Sequence, residues 1–516
     1  MKTEASSGLE SSLSLLSKDP ACSKLKHIKD SCETAIDILE DVSKIRSMPV
    51  FRLRAMCLSP FEMVLEAKHS KLYGYVLDGI SSMIQDPRFI SDELEKDEDC
   101  QFTNQIISLL QTNCSLPDDV LLGLMKFLLA FFNSKVFSVN SFSLKGIMEI
   151  CLNAQRTSLQ SETRVAIRGT LLQIYSSVCA SLIDKSEPDD NDQCYYRGIN
   201  LLRGDIFETL SHIVRLMEGI QEVSQSIFNI KLGLCLDVLL TSLVSLPLSI
   251  NQDSRFLDFI WQCLCPALIS NLGNPRNLKT VTSAHDKIEE GKLSLSEVGR
   301  GSGTSTQPPN IVGTNARIIY SISAELLRHV GCIASMRPVL QSLFHRMLLF
   351  PPSNYRLVPL NSLCEIVLNP ERLLDICGPT IADEKQSGDN RNRRESDIDL
   401  LKLIVDAISE SVYSENVHVC SAAVSCVCAL LSSLSAISRG EGMKPFQIEE
   451  ISSWVDSFEL MTPDEMSLRT TRRIRLTHHK LSQQYRKPEE IYIRLVKQSL
   501  SQFRKSVGTS YIIINT

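Results

Sequence analysis

The residues that come nearest to a chemical constellation in this chain are two cysteine pairs, Cys263 with Cys265 and Cys426 with Cys428. A structural zinc site takes two such pairs, each with two to four residues between its partners. Here one residue intervenes, and on a helix residues i and i+2 point about 200° apart. Neither pair can close on one cation, so both read as core packing. Glu415 and His418 have the i, i+3 spacing of di-iron bundles, but those centres need a second such motif and two further inward-facing glutamates. His478-His479 lies in a basic stretch without a neighbouring carboxylate, and no His-Glu-x-x-His occurs. Gly299-Arg300-Gly301-Ser302-Gly303 has the glycines of a phosphate loop without the Lys-Ser/Thr that completes one. No Gly-x-Ser-x-Gly elbow is found either. The expectation is a chain with no catalytic residue, no metal and no cofactor.

Two basic features point to regulation and contact rather than catalysis. Ser396 follows Arg391-Asn392-Arg393-Arg394-Glu395 just before an expected helix. A phosphate there would sit near a helix N-terminus, which favours negative charge, so Ser396 is the candidate phosphorylation site. Residues 461–516 hold 11 Lys/Arg against 4 Asp/Glu, including Arg472-Arg473-Ile474-Arg475. They read as a solvated extension, or as a peripheral contact with anionic lipid at about 1 kcal/mol per basic residue. The formal charge of −6 therefore leaves about −13 on residues 1–460, which offers no basic surface to nucleic acid.

The elements that would carry these residues are helices. Leu25, Ile28, Cys32, Ala35, Ile36, Leu39 and Val42 recur at steps of three and four. Ser59-Pro60-Phe61-Glu62 has the hydroxyl, proline and glutamate of a capped helix start. Further helices are expected at about 70–85, 99–112, 117–133, 142–154 and 162–184, with short polar turns between them, which makes neighbours antiparallel. Ile227–Leu246 is mostly apolar and predicts a helix covered on nearly all sides. Later helices are expected at about 314–331, 335–349, 354–376, 398–412 and 415–438, with an amphipathic segment at 446–460.

The layout that follows is a disordered stretch over 1–20, a helical domain over 21–184, an acidic linker over 185–198 and a helical block over 199–272. A Gly/Ser linker over 273–313 comes next, then a helical block over 314–460 with a polar insert at 378–397, and the basic tail. At 516 residues one compact core is excluded. With 6% aromatic residues and two tryptophans, packed helices suit the composition better than sheets. The fold class expected is all-α: an armadillo/HEAT-like α-solenoid of stacked helix pairs of roughly 40 residues, with two flexible inserts. The 17 cysteines are odd in number and many sit singly in apolar helical stripes. No secretory signal is read at Met1-Lys2-Thr3-Glu4, so free thiols in a reducing compartment are expected. The longest apolar run, Val120 to Phe132, holds 13 residues against the roughly 20 that a membrane span needs, so no span is expected.

A family resemblance rests on particular stretches. Ser23-Lys24-Leu25-Lys26-His27-Ile28-Lys29-Asp30-Ser31-Cys32 and Arg54-Ala55-Met56-Cys57-Leu58-Ser59-Pro60-Phe61 resemble the opening of the large brefeldin-A-inhibited ARF guanine-nucleotide exchange factors, their dimerisation and cyclophilin-binding (DCB) region. Leu264-Cys265-Pro266-Ala267-Leu268-Ile269 and Pro338-Val339-Leu340-Gln341-Ser342-Leu343-Phe344 are similar to the third, catalytically divergent branch. The resemblance, in patches over residues 20–450, implies an armadillo-type fold and self-association through the N-terminal region. It also implies ARF-pathway or vesicle-coat partners and a cytoplasmic position at Golgi or secretory-vesicle membranes. The glutamate-finger motif of the active members is absent: only Phe51-Arg52-Leu53 occurs, followed by Arg54-Ala55. No Asn-Tyr-Asp-Cys box occurs either. The functional expectation is a non-catalytic scaffold. The alternatives are the regulatory part of an exchange factor whose exchange domain lies outside this chain, or a helical-repeat adaptor unrelated to ARF.

Overall fold

The computed structural model describes residues 8–22, 25–91, 101–111, 116–182, 193–218, 225–272, 313–351, 355–378, 398–439, 441–442 and 444–445. Among them every regular element is helical. The chain divides into two compact units, Met1–Phe259 and Ile260–Thr516.

In the first unit the helices are α1 (Gly8–Lys18), α2 (Lys26–Glu40), α3 (Val42–Ser47), α4 (Val50–Glu66), α5 (Tyr73–Gln85) and α6 (Phe102–Gln111). They continue with α7 (Asp118–Phe132), α8 (Ser141–Thr157), α9 (Ser161–Ala180), α10 (Gln193–Glu218), α11 (Gln225–Ser245) and the short α12 (Ser254–Asp258). Alternate helices stack. From α4 the chain steps to α6, α8 and α10 in one layer, and from α5 to α7, α9 and α11 in the other. The pairs α1/α2 and α4/α5 join through α1 on α5 and α2 on α4. Helices pack within each pair and against the neighbouring pairs, which is the architecture of a helical solenoid.

Local sequence explains the element ends. Asn140 caps α8 reciprocally with Ser143, its Oδ1 accepting from Ser143 N at 2.7 Å while Asn140 N donates to Ser143 Oγ at 3.2 Å. Asp41 ends α2 and caps α3, accepting from Ser43 N at 3.0 Å. That turn explains why Val42, expected on the buried stripe, is exposed while Ile28, Cys32, Ala35 and Leu39 are buried. In α11 nearly every residue from Leu232 to Leu239 is buried, as its continuous apolar character requires.

Three expectations for this unit are corrected. Residues 1–20 are not disordered throughout, because Gly8–Lys18 is a helix with Leu9, Leu13 and Leu16 fully buried. Its serines misled the reading: Ser12 Oγ and Ser17 Oγ donate to Gly8 O and Ser14 O at 2.9 and 3.1 Å, so hydroxyls are satisfied by the helix itself. Pro60 does not open a helix. It lies inside α4, which starts ten residues earlier after Pro49, and packing of Leu53, Cys57, Phe61 and Val64 on one face outweighs the one backbone bond proline forgoes. Residues 193–198, placed in the acidic linker, begin α10.

A π-helical stretch, Phe259–Leu264, precedes α13 (Cys265–Leu272), the first α-helix of the second unit. Then come α14 (Thr314–Val330), α15 (Arg337–Leu348), α16 (Leu357–Val367), α17 (Pro370–Cys377), α18 (Asp399–Val412) and α19 (Val417–Ser438). The two layers recur as α13, α15, α18 and α14, α16, α19, with α17 as a third helix packed against α14, α16, α18 and α19. Cys426 Sγ donates to Leu360 O at 3.1 Å and Ser433 Oγ to Val367 O at 2.6 Å. Both contacts share an offset of 66 residues, so α16 and α19 run parallel in one layer. The single helix expected over 354–376 is two, because Asn369 breaks it and accepts from Glu371 N at 2.9 Å with Pro370 at the first helical position.

A further expectation is revised at α19. Val417–Ile437 is long and apolar enough to cross a membrane by length and composition, its apolar residues being interspersed with serines. It packs on the stack by one face. Val419, Ala423, Cys426, Leu430 and Ser433 are buried, while Ser421, Ser425, Cys428, Ser432 and Ser435 face outward and are exposed. Serine hydroxyls on the outer face suit water better than hydrocarbon.

Candidate interaction surface

The structure separates the residues singled out for chemistry. Cys265 is buried and Cys263 half-buried, and Cys426 is buried while Cys428 is exposed, the divergence expected for i, i+2 on a helix. Among the described residues the cysteines are free and no group of three or more His, Cys, Asp or Glu could hold a metal. Burial pushes the thiols of Cys32, Cys57, Cys151, Cys179, Cys235 and Cys265 up to about 12, which makes them inert fillers. Glu415 and His418 are both exposed beside Asn416, which caps α19. Ser396, Gly299–Gly303, His478-His479, the 446–460 segment and the basic tail lie outside the described residues.

Buried charge serves the fold. Arg54, 1% exposed, donates from Nε to Phe89 O at 2.7 Å and lies 4.6 Å over the Phe102 ring. Arg88 pairs with Asp86 at 2.7 Å and Glu10 at 3.0 Å and donates to Leu39 O at 3.4 Å, so it ties α1 to the end of α2. In the second unit Asp375 is fully buried on α17, paired with Lys444 and 3.8 Å from Arg372. Its Oδ2 has no hydrogen-bond partner among the described residues. Desolvation outweighs the two cations and raises its carboxyl to about 6. Gly442, at φ 77°, brings Lys444 to that carboxylate across a gap where a Cβ would lie 2.8 Å from Glu371 N.

What the fold offers to partners is surface. Leu159, in the turn between α8 and α9, is 87% exposed, and Val165 on the first turns of α9 is 71% exposed. Ser158 Oγ donates to Asp118 Oδ1 at 2.5 Å, which fixes that turn against α7. Where the C-terminal ends of α8 and α10 meet the N-terminal parts of α9 and α11 there is a cavity of about 520 Å³. Leu152, Leu216 and Ile230 form its apolar wall, and Arg156, Arg164 and Lys231 bring cations. Sequence reading passed over these cations because they are scattered over 76 residues, and only the stacking of two helix pairs brings them together.

Two layers of stacked helices make the described residues a helical-repeat array, with the apolar Leu159 exposed on one of its turns. Residues 2–184 match the family described as DCB: Mon2/Sec7/BIG1-like, dimerisation and cyclophilin-binding domain. The chain is 35% identical over 495 residues to human brefeldin A-inhibited guanine nucleotide-exchange protein 3, covering 91% of this chain and 22% of that protein. It is 34% identical over 459 residues to the mouse protein of the same name, covering 86% of this chain and 21% of the relative. The chain thus spans about a fifth of the length of these curated relatives. No solved structure matches.

Proposed function

We propose that this chain is a non-catalytic helical scaffold and regulator in ARF-linked, vesicle-mediated transport, acting by protein–protein contact at Golgi or secretory-vesicle membranes. The observation that carries the reading is the match of residues 2–184 to a dimerisation and cyclophilin-binding domain, built as a stack whose turns expose Leu159 and Val165. Self-association through this region is the primary contact. ARF-pathway or vesicle-coat proteins are the further partners, and the basic residues after 461 supply a peripheral membrane contact. The test is nucleotide exchange on purified ARF beside light scattering of the same sample. The expected result is no exchange above background and a mass above that of a monomer; exchange catalysed by residues 1–516 refutes the scaffold.

A second reading is favoured by coverage. Relatives named as exchange proteins are about five times longer than the aligned region, so the same module would serve as the regulatory part of an exchange factor. A transcript continuing past Thr516 into a glutamate-finger motif decides for it. Proximity labelling that returns no Golgi or vesicle proteins would instead favour an adaptor unrelated to ARF.

A further inference from the structure

The cavity at α8–α11 carries unmet chemistry. Its one carboxylate, Glu149, is already engaged, since Gln111 Nε2 donates to it at 2.9 Å and His212 Nε2 lies 3.7 Å away. Arg164 uses Nε and Nη2 on Ser158 O at 3.1 and 2.8 Å. Arg156 and Lys231 have no ion-pair partner among the described residues, and Gln155 Oε1 is buried without a hydrogen-bond partner there. The cavity, at about 520 Å³, is within the roughly 300–1,000 Å³ of ligand sites. A fitting occupant supplies carboxylates and apolar side chains, which is the chemistry of an acidic amphipathic peptide.

The chain itself contains one. Residues 446–460 hold Glu449, Glu450, Asp456 and Glu459 with no Lys or Arg, and Ile448, Ile451, Val455 and Phe458 recur at steps of three and four. The other acidic stretches fit worse. Residues 92–100 bring only Leu94 and Cys100 as apolar side chains, and residues 185–192 bring none. Six of the nine wall residues lie within 2–184, the region matching a dimerisation domain, so a second chain is the natural donor.

We propose that residues 446–460 of a second copy of this chain dock in the cavity, carboxylates against Arg156 and Lys231, apolar side chains against Leu152, Leu216 and Ile230. The proposal rests on the self-association reading and gives that contact a site.

Carbodiimide coupling, which joins amine to carboxylate only in contact, tests it on the full chain. Unlabelled and ¹⁵N-labelled chains are mixed, coupled and mapped by mass spectrometry, with the Lys145–Glu208 ion pair as internal control. The expected product joins Lys231 to a 446–460 carboxylate in hybrid-isotope peptides. Arg156→Glu with Lys231→Glu should weaken dimerisation at least tenfold by sedimentation, and Glu449→Lys with Glu450→Lys in the mixed partner should restore it. Dimers that form the control link but no hybrid Lys231 link overturn this docking alone, as does a Lys231 link confined to one isotope class. A monomer at every concentration removes the self-association reading along with it.

Discussion

The stacking of α4 on α5 turns on one glycine. A Cβ on Gly79 would lie 2.2 Å from Phe61 Cζ and 2.8 Å from Cε1, and Phe61 is fully buried, so its ring has nowhere free to turn. Alanine in a helix interior is favoured over glycine by about 1 kcal/mol. Overpacking a tight core costs about 1–3 kcal/mol, and a contact as short as 2.2 Å belongs at the upper end of that range, so Gly79→Ala is expected to destabilise this helix pair by up to about 2 kcal/mol. Phe61→Leu alone is expected to cost about 1–2 kcal/mol through lost burial. Together they should cost at least 1 kcal/mol less than their sum, because the new methyl occupies space the ring vacates. A chain of two units is not two-state, so the readout is amide hydrogen exchange confined to α4 and α5. If Gly79→Ala slows exchange along α5, propensity alone governs the site, and the close packing of the pair is refuted.

Other outcomes follow from the same contacts. Asp375 titrates near 6 in the folded unit against 3.8 in an unperturbed chain, so its contribution is full below pH 4 and is lost as pH rises through 6, about 3 kcal/mol in all. Asp375→Asn should flatten that part of the pH dependence of second-unit stability, measured by pulse proteolysis between pH 4 and 7.5; an unchanged profile contradicts the assignment. Iodoacetamide at pH 8 should label the exposed Cys428 well before Cys151, Cys179 and Cys235, whose thiols sit near 12. Equal labelling by mass spectrometry would show the stack to be open. Arg54→Met should cost about 1–3 kcal/mol by leaving Phe89 O without its buried donor, visible as faster exchange in α4 and α6, whereas unchanged exchange would show that donor to be dispensable.

Periodicity carried most of the fold. Where apolar residues recur at three and four, as in α2, or fill a helix, as in α11, the sequence located the element because burial itself has the helical period. The failures share a cause. At α1 and Pro60 the local signal was real, serines for disorder and proline for a start, but buried leucines and Phe61 stabilise the helix more strongly through partners distant in sequence. The cavity was illegible for the same reason. Arg156, Arg164 and Lys231 have ordinary surroundings in sequence, and they become a cluster only when α8/α9 stack on α10/α11.

That dependence on stacking also shapes what the molecule can do. In a solenoid each helix pair meets only its neighbours, so a contact made at one pair is transmitted by the next interface rather than through a common core. The Arg168–Asp237 pair at 2.7 Å and the Ser176–Ser245 hydroxyl contact at 2.8 Å link α9 to α11, joining the last helix of the matched domain to the helices that follow. Any partner held on the turn of Leu159 therefore presses on a layer that extends past residue 184. A deletion ending at residue 184 would expose the buried faces of α8 and α9, including Ile174, Val178 and Cys179. Such a fragment should aggregate at concentrations where a fragment ending after Phe259 stays dispersed in light scattering. A well-behaved 1–184 fragment would show that the matched region closes its own core, and that the helices beyond it are a separate attachment.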